Sequence, residues 1–489
     1  MENEEIVLAP LEGKELIVDI PCMKPVMGTS KVDVRDGSFH NRKLTELGNA
    51  HRMIDKFRGN IYFVYEAKAW LFWRNGAWHW DPNNAQIKVL AANLEGSIYK
   101  EGSRFPEQAD HFVKWARQSQ TKKTIDATVE LYSNQAPVRI ELKTLDTNPF
   151  LVGIDSAKQV LDLKSGITRP ALREDFITKS LHVNELGESC KAIRWIEFMN
   201  QIFGKDQALI NWIQRWCGYL LTGSTDEQIF VFCHGYGANG KSVLAETLAY
   251  ILGDYGRAIS SNSLSEMKRS GAAASPDLAD LIGARLAITT ETEDDVALAE
   301  ALVKSLVAGD TMTVRKLYSA PIQFKPQFKL MMLGNHKPII KGTDHGIWRR
   351  IRLIPFEKSI PESERDPDLL NKLKSEASHI LAWMVEGCLN WKEYRLTNIP
   401  NSIQKATQEY QHDQNVLGRW IEDCFEDSET AEIPSKSLYE KYTSWCNENG
   451  LLPLSNIALG RKLPEYGFSY RRSNGKNLWY GLKMKSEIS

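Results

Sequence analysis

Long apolar runs are missing from this chain. The longest, such as Ile229 to Cys233 and Leu330 to Leu333, fall far short of the ~20 residues a membrane-spanning helix requires, so no membrane partner is expected. The start, Met1-Glu2-Asn3-Glu4-Glu5, is acidic and lacks the basic-then-apolar order of a secretory leader, which predicts a cytoplasmic, intracellular location. Cysteine is sparse: seven residues are scattered with no CxxC, the nearest two 16 positions apart, so zinc ribbons and thioredoxin chemistry are unsupported and a reducing compartment is the simplest reading. The ten histidines form no HxxxH or HExxH, and no structural transition metal is expected. Excess charge of either sign is missing as well. With 61 Lys and Arg against 62 Asp and Glu, any polyanion must be met by local patches. What remains is an ordinary globular composition, 42% hydrophobic and 25% charged over 489 residues, enough for about three domains.

Periodicity divides the chain. Residues 1–44 read as an extended lead-in, and 45–185 as a domain of mixed elements. That domain opens with a helix carrying Leu47, Ala50, Met53, Ile54 and Phe57 on one face. Two aromatic stretches follow, joined by Asn75-Gly76, a hairpin signal because both turn residues accept positive φ. Their Trp70, Phe72, Trp73, Trp78 and Trp80 suit either base stacking or, as aromatics more often do, the core of a small sheet. Residues 186–224 read as a helical oligomerisation segment, with amphipathic helices at Ile193–Phe203 and Gln207–Leu221. From 225 to 395 short apolar strands alternate with helices, an α/β texture. Residues 396–489 predict a connecting helix, three short helices and a hairpin interrupted by Asn474-Gly475, the outline of a winged helix-turn-helix.

The strongest chemical signal is an apolar strand ending at Cys233, then Gly235-Tyr236-Gly237-Ala238-Asn239-Gly240-Lys241-Ser242 and an apolar helical pattern from Val243. Glycine-rich amides at a helix N-terminus cradle phosphate, Lys241 would reach the β- and γ-phosphates, and the Ser242 hydroxyl would ligate Mg²⁺. The same glycines also spell the dinucleotide pattern GxGxxG, with Asp254 at a plausible distance for a ribose, but Lys241-Ser242 favours a phosphate loop over that reading and over an accidental turn. A second strand, Leu286–Thr290, delivers Glu291 and then Glu293, carboxylates that would hold the magnesium shell and polarise water, or stand solvated in a loop. A third, Phe328–Leu333, delivers Asn335, an amide suited to orienting the attacking water, while His336 reads as structural. Arg349 and Arg350 precede another strand and suit charge stabilisation at a leaving γ-phosphate, with a solvated basic face as competitor. Between the second and third strands a hairpin from Gly309 to Lys325 places Arg315, Lys316 and Tyr318 where they suit a sugar-phosphate backbone and its bases. From Ser455 onward seven basic residues, among them Arg461, Lys462, Arg471, Arg472 and Lys476, face two acidic ones, a footprint for duplex or fork binding, although such a fold also serves protein contacts.

The order phosphate loop, Glu after a strand, basic hairpin, strand-Asn and Trp-Arg-Arg resembles the superfamily three helicases, more narrowly the helicase portion of phage and plasmid primase-helicases and their poxvirus relatives. The likeness covers roughly residues 45–485, including Val160–Gly166 and Tyr439–Glu448. It implies an AAA+-like P-loop core with an α+β domain before it and a winged-helix DNA-binding domain after it. It further implies a ring, usually hexameric, moving 3′ to 5′ on single-stranded DNA with ATP and Mg²⁺ and unwinding forked DNA for a mobile element. On that resemblance Lys241 and Ser242 bind nucleotide and metal with Gly235, Gly237, Ala238, Asn239, Gly240 and Val243. Glu291 is metal site and base, Asn335 senses the γ-phosphate, and Arg349 or Arg350 reaches the neighbour's ATP. Two departures stand out. Thr290 precedes Glu291 where many members have adjacent acids, and only about 40 residues precede the first helix, so a primase or polymerase is expected to be a separate polypeptide. The rival readings are an ATP-dependent origin binder that does not translocate, and a dinucleotide-dependent redox enzyme.

Overall fold

The computed structural model describes residues 42–485 apart from 267–275, 291–296, 316–320, 343–344 and 474–475, so most of the lead-in lies outside the described residues. The chain is mixed α/β, and its contacts divide it into two units.

The first unit holds residues up to Thr147 together with Pro170–Thr178. The Thr45 hydroxyl caps the opening helix, Glu46–Phe57, by accepting from Gly48 N. A four-stranded sheet runs in the order Ala77–Asp81, Ala69–Arg74, Ile61–Val64, Arg139–Ile140. The turn between Ala69–Arg74 and Ala77–Asp81 is Asn75-Gly76 with φ of 50° and 80°, the geometry those residues predict. Trp70, Phe72 and Trp78 are buried in it, and Trp70 stacks on Tyr132 at 5.0 Å between ring centroids, so the sheet-core reading of the aromatic cluster describes these three side chains.

The second unit holds Asn148–Arg169 and everything from Lys179 onward. The strands Leu151–Ile154 and Gln159–Asp162 therefore do not group with residues 45–147, where adjacency in sequence assigns them. Val152, Ile154, Leu161 and Leu163 pack instead into the core that also holds Trp195, Trp212, Leu244 and Met331. That core lies on one side of a parallel sheet of β1 (Phe230–His234), β2 (Gly256–Ala258), β3 (Leu286–Thr290), β4 (Lys329–Gly334) and β5 (Ile351–Pro355), ordered β5-β1-β4-β3-β2. Both faces are covered, as near-continuous apolar strands require. Helices α1 (Ile193–Phe203), α2 (Gln207–Leu221), α3 (Lys241–Leu252) and α5 (Ala377–Tyr394) supply the first face, and α4 (Glu300–Ala308) and α6 (Asn401–Gln414) contribute to the second.

Two cations are buried where β3 and β4 begin. Arg285 donates to the carbonyls of Leu151 (2.7 Å) and Asn148 (3.2 Å) and also to Leu221, while Lys329 donates to Ser224 (3.3 Å), Gln327 (3.3 Å) and Thr222. Leu221 and Thr222 end α2, where the helix dipole leaves partial negative charge that a cation answers. Tyr219 and Tyr255 add ring faces beneath the two cations, at 4.5 and 4.9 Å.

Past Asn415 lie α7 (Val416–Cys424), α8 (Ser435–Glu448) and α9 (Asn456–Lys462), with a three-stranded antiparallel sheet of β6 (Phe425–Pro434), β7 (Ser469–Ser473) and β8 (Lys476–Met484). Trp420, fully buried, meets Phe425 and Tyr442 edge-on at 5.0 Å each and centres this core. The expected three helices and hairpin are here. The strand β6 joins them as an addition, since its acidic, Ser- and Thr-containing sequence reads as a loop.

Candidate functional site

Strand register decides which loops meet. In the parallel pair β1 and β4, His234 lies opposite Gly334, so the residues that follow, Gly235 and Asn335, leave the sheet side by side. Pro355 of β5 also lies opposite His234, which brings Phe356 to the same edge. Three loops therefore converge at the carboxyl ends of adjacent strands, the place where open α/β sheets bind ligands.

The glycine-rich turn adopts φ of 60°, 45° and 85° at Gly237, Ala238 and Gly240. A Cβ at Gly240 would stand 2.6 Å from Ile202 Cγ2, so α1 presses against the turn where helix α3 starts. Asn239 is buried and holds the loop to the sheet by donating to Phe356 O at 3.1 Å, while Ile360 N donates to Ala238 O at 2.9 Å. The turn is thus pinned from both flanks. The opening amides of α3 have no carbonyl one turn earlier, and they face the loop with the helix's positive end.

Lys241 begins α3 and is only 7% exposed. Its ammonium donates to Asn239 Oδ1 and Asn335 Oδ1, each at 3.2 Å, and to Gly235 O. These three acceptors are neutral, and burial lowers the lysine below its ordinary value. An ammonium whose acceptors among the described residues are neutral oxygens is poised for an anionic partner. Ser242, next along α3, is exposed, and Val243 is half-buried. His234 is also lowered, first by burial and then by Lys337, and its ring meets Tyr236 edge-on at 5.5 Å. Glycine without obstructing Cβ atoms, a buried lysine and an exposed hydroxyl at one helix start fit a phosphate with its metal ion. Asp254 does not fit a ribose role: its carboxylate accepts from Ser180 N at 3.1 Å in a short turn after α3.

The other sequence-derived candidates fall in several places. Lys241 and Asn335 are brought together across 94 residues. Glu291, with Glu293, lies outside the described residues, one position past β3, whose Thr290 pairs with Leu333. Arg349 and Arg350 precede β5, at the opposite end of the strands from the phosphate loop, roughly 17 Å away at ~3.3 Å per residue. Arg350 is half-buried and donates to Gly346 O, whereas Arg349 is exposed. The inserted hairpin pairs Met312–Val314 with Ile322–Phe324, and Arg315 stands exposed at its tip side. Lys316 and Tyr318 lie outside the described residues. Past Asn415, Arg461, Arg471 and Arg472 are exposed, Lys462 is half-buried with its ammonium 3.5 Å from Lys341 O, and Lys476 begins β8. Sequence reasoning missed Asn239 as the loop's anchor and treated α6 only as a connector.

Three segments match family models: residues 50–204 match "D5 N terminal like", 233–350 a family of unknown function (DUF5906), and 412–486 "Poxvirus D5 protein-like". Among curated proteins, the chain is 31% identical over 332 residues to "Putative helicase L207/L206" of Acanthamoeba polyphaga mimivirus, covering 63% of this chain and 34% of that protein. It is 24% identical over 339 residues to "Putative primase C962R" of African swine fever virus (strain Badajoz 1971 Vero-adapted), with the same coverage. The chain thus spans about a third of the length of these relatives. A solved structure of the NrS-1 C-terminal region (305–718) shares the fold at 12% identity and a TM-score of 0.50, over 90% of this chain and all of that one. With D5 matches on either side of the phosphate loop and relatives named as helicases and primases, the chain is similar over these segments to the D5-like primase-helicases.

Proposed function

We propose that this chain is an ATP-driven DNA helicase that moves 3′ to 5′ on single-stranded DNA as a ring, usually of six, and opens duplex during replication of a phage, plasmid or other mobile element. The observation that carries the reading is the meeting of Lys241 and Asn335 at 3.2 Å over a pinned glycine turn, at the carboxyl ends of adjacent parallel strands. The strand order and the three-helix, three-strand terminal domain support an AAA+-like core followed by a winged helix.

On this reading the amides of Gly235, Gly237, Ala238, Asn239, Gly240 and Val243 surround the phosphates of ATP, and Lys241 trades neutral acceptors for phosphate oxygens. Ser242 and Glu291 would hold Mg²⁺, which would supply positive charge to the phosphate oxygens. Glu291 takes a proton from the attacking water, and the Asn335 amide orients that water and reports the γ-phosphate to its own loop. Arg349 serves as the finger for a neighbouring subunit's ATP, because it is exposed and stands a strand's length from its own phosphate loop. Arg315, Lys316 and Tyr318 grip the strand in the channel. Arg461, Lys462, Arg471, Arg472 and Lys476 hold duplex or fork DNA.

The test is ATP turnover with and without single-stranded DNA. DNA should stimulate turnover, and Lys241→Ala should abolish it. Turnover indifferent to DNA, with intact DNA binding, would favour an initiator that assembles without translocating.

A further inference from the structure

Helix α6 carries a column of polar contacts on one face. Thr407 Oγ1 accepts from Leu353 N at 3.1 Å, the Tyr410 hydroxyl donates to Pro338 O, Asp413 pairs with Lys337 at 3.0 Å, and Gln414 Oε1 accepts from Ile340 N at 3.0 Å. The spacing 407, 410, 413 and 414 is a single helical face. Three of these contacts land on residues 337–340, the stretch that begins two positions after Asn335. The fourth lands on β5, the strand that follows Arg349.

Tyr410 sits at the centre of the column and is 1% exposed. Its ring meets Trp348, the residue before Arg349, edge-on at 5.2 Å and 81°. It lies 6.2 Å from Phe232 of β1, the strand that feeds the phosphate loop, and the Lys337 ammonium stands 5.4 Å from its centroid. Pro338 has no amide hydrogen, so its carbonyl is the one backbone hydrogen-bonding group by which the loop can be held at that position. Burial pushes the phenol up, which keeps it a donor.

We propose that Tyr410 is a positioning residue for Asn335, fixing through Pro338 the loop that carries the γ-phosphate sensor. The role rests on the ATPase reading above. Asn335 must meet the attacking water within a fraction of an ångström, and its loop leaves the sheet with α6 as its outer support. A residue that only fills the core would set stability and leave the chemical step alone.

The experiment uses the full chain, with ATP turnover measured at saturating DNA. Tyr410→Phe keeps the ring against Trp348, Phe232 and Lys337 and removes only the hydroxyl. It should lower kcat about five- to tenfold, since small misplacements of an orienting group slow chemistry steeply, and leave the KM for ATP within about twofold. Placed on Asn335→Ala, the same change should cost no further activity, because residues acting through one group are not additive. Gln414→Ala, at a half-buried position that tolerates truncation, should show a smaller loss of the same kind, also absent in Asn335→Ala, and it decides the question if Tyr410→Phe fails to fold. Unchanged kcat in both variants, or a Tyr410→Phe loss that multiplies with Asn335→Ala, overturns the role. The two readings fail separately. If wild type hydrolyses no ATP, or Lys241→Ala hydrolyses it normally, the ATPase reading itself falls.

Discussion

Two glycines of the same turn should respond very differently to alanine. Gly237 has a φ of 60° and open space where a Cβ would stand, whereas Gly240 has a φ of 85° and a Cβ there would stand 2.6 Å from Ile202 Cγ2 and 3.1 Å from Phe198 Cε2. Both substitutions force an L side chain into the left-handed region, at about 1–2 kcal/mol. Only Gly240→Ala also pushes into a packed helix, and overpacking of that kind adds about 1–3 kcal/mol. Ile202 and Phe198 are themselves buried, with Trp195 and Met199 behind them on α1, so the clash has no exposed side chain to relieve it. The strain falls on the turn that must close around phosphate. If the added cost appears in nucleotide binding, half-saturating ATP for Gly240→Ala should exceed that for Gly237→Ala by roughly 5- to 150-fold. Thermal unfolding should rank the two variants in the same order. ATP titration and melting of the purified variants measure both effects. Equal behaviour of the two alanines would refute the packing argument, since a view based on the motif alone ranks both glycines alike.

The two arginines should separate as well: Arg349→Ala should lose turnover with little change in stability, while Arg350→Ala, which loses its bond to Gly346 O, should mainly destabilise. Mixing Arg349→Ala with Lys241→Ala subunits should restore part of the turnover, because some boundaries regain an intact phosphate loop facing an intact finger. A mixture as dead as its components would place the finger elsewhere. Lys329 predicts a pH dependence. Burial first, and then Arg285, hold its ammonium well below the ordinary value of 10.5. The unfolded chain therefore binds a proton that the folded chain gives up between the two values, and stability should rise with pH across that window up to about 10.4. Lys329→Met should flatten this rise in urea melts taken at several pH values; an unchanged slope would contradict the assignment.

How much of this was legible beforehand depends on whether the cause is local. The phosphate loop is spelled within eight residues, because glycine is the residue that tolerates positive φ and close approach, and the turn at Asn75-Gly76 was readable for the same reason. The pairing of Lys241 with Asn335 was legible only as two separate strand ends, since the register of β1 on β4 is a tertiary fact. Strand β6 was hidden by its acidic sequence, and it forms because β8 offers a partner, across an irregularity between Asp427 and Glu432. The grouping of Leu151–Asp162 followed chain adjacency in the sequence and packing in the structure, where Val152 and Leu161 find apolar neighbours around α1 and α2. Arg285 and Lys329 were unremarkable in sequence, because carbonyl cages at the end of a helix leave no motif. The role of α6 was hidden in the same way: Thr407, Tyr410 and Gln414 show a helical period, and only the folded chain shows that this face meets the loop after Asn335.

If ATP cleavage at Lys241 and Asn335 drives strand separation, a labelled strand should be displaced from a 3′-tailed duplex at catalytic protein concentration. Wild type with ATP and Mg²⁺ should release the strand and should fail on a 5′-tailed substrate, while Lys241→Ala should release none on either. Equal release by Lys241→Ala, or none by wild type while it turns over ATP and binds the same DNA, would mean that ATP cleavage at this loop does not drive strand separation.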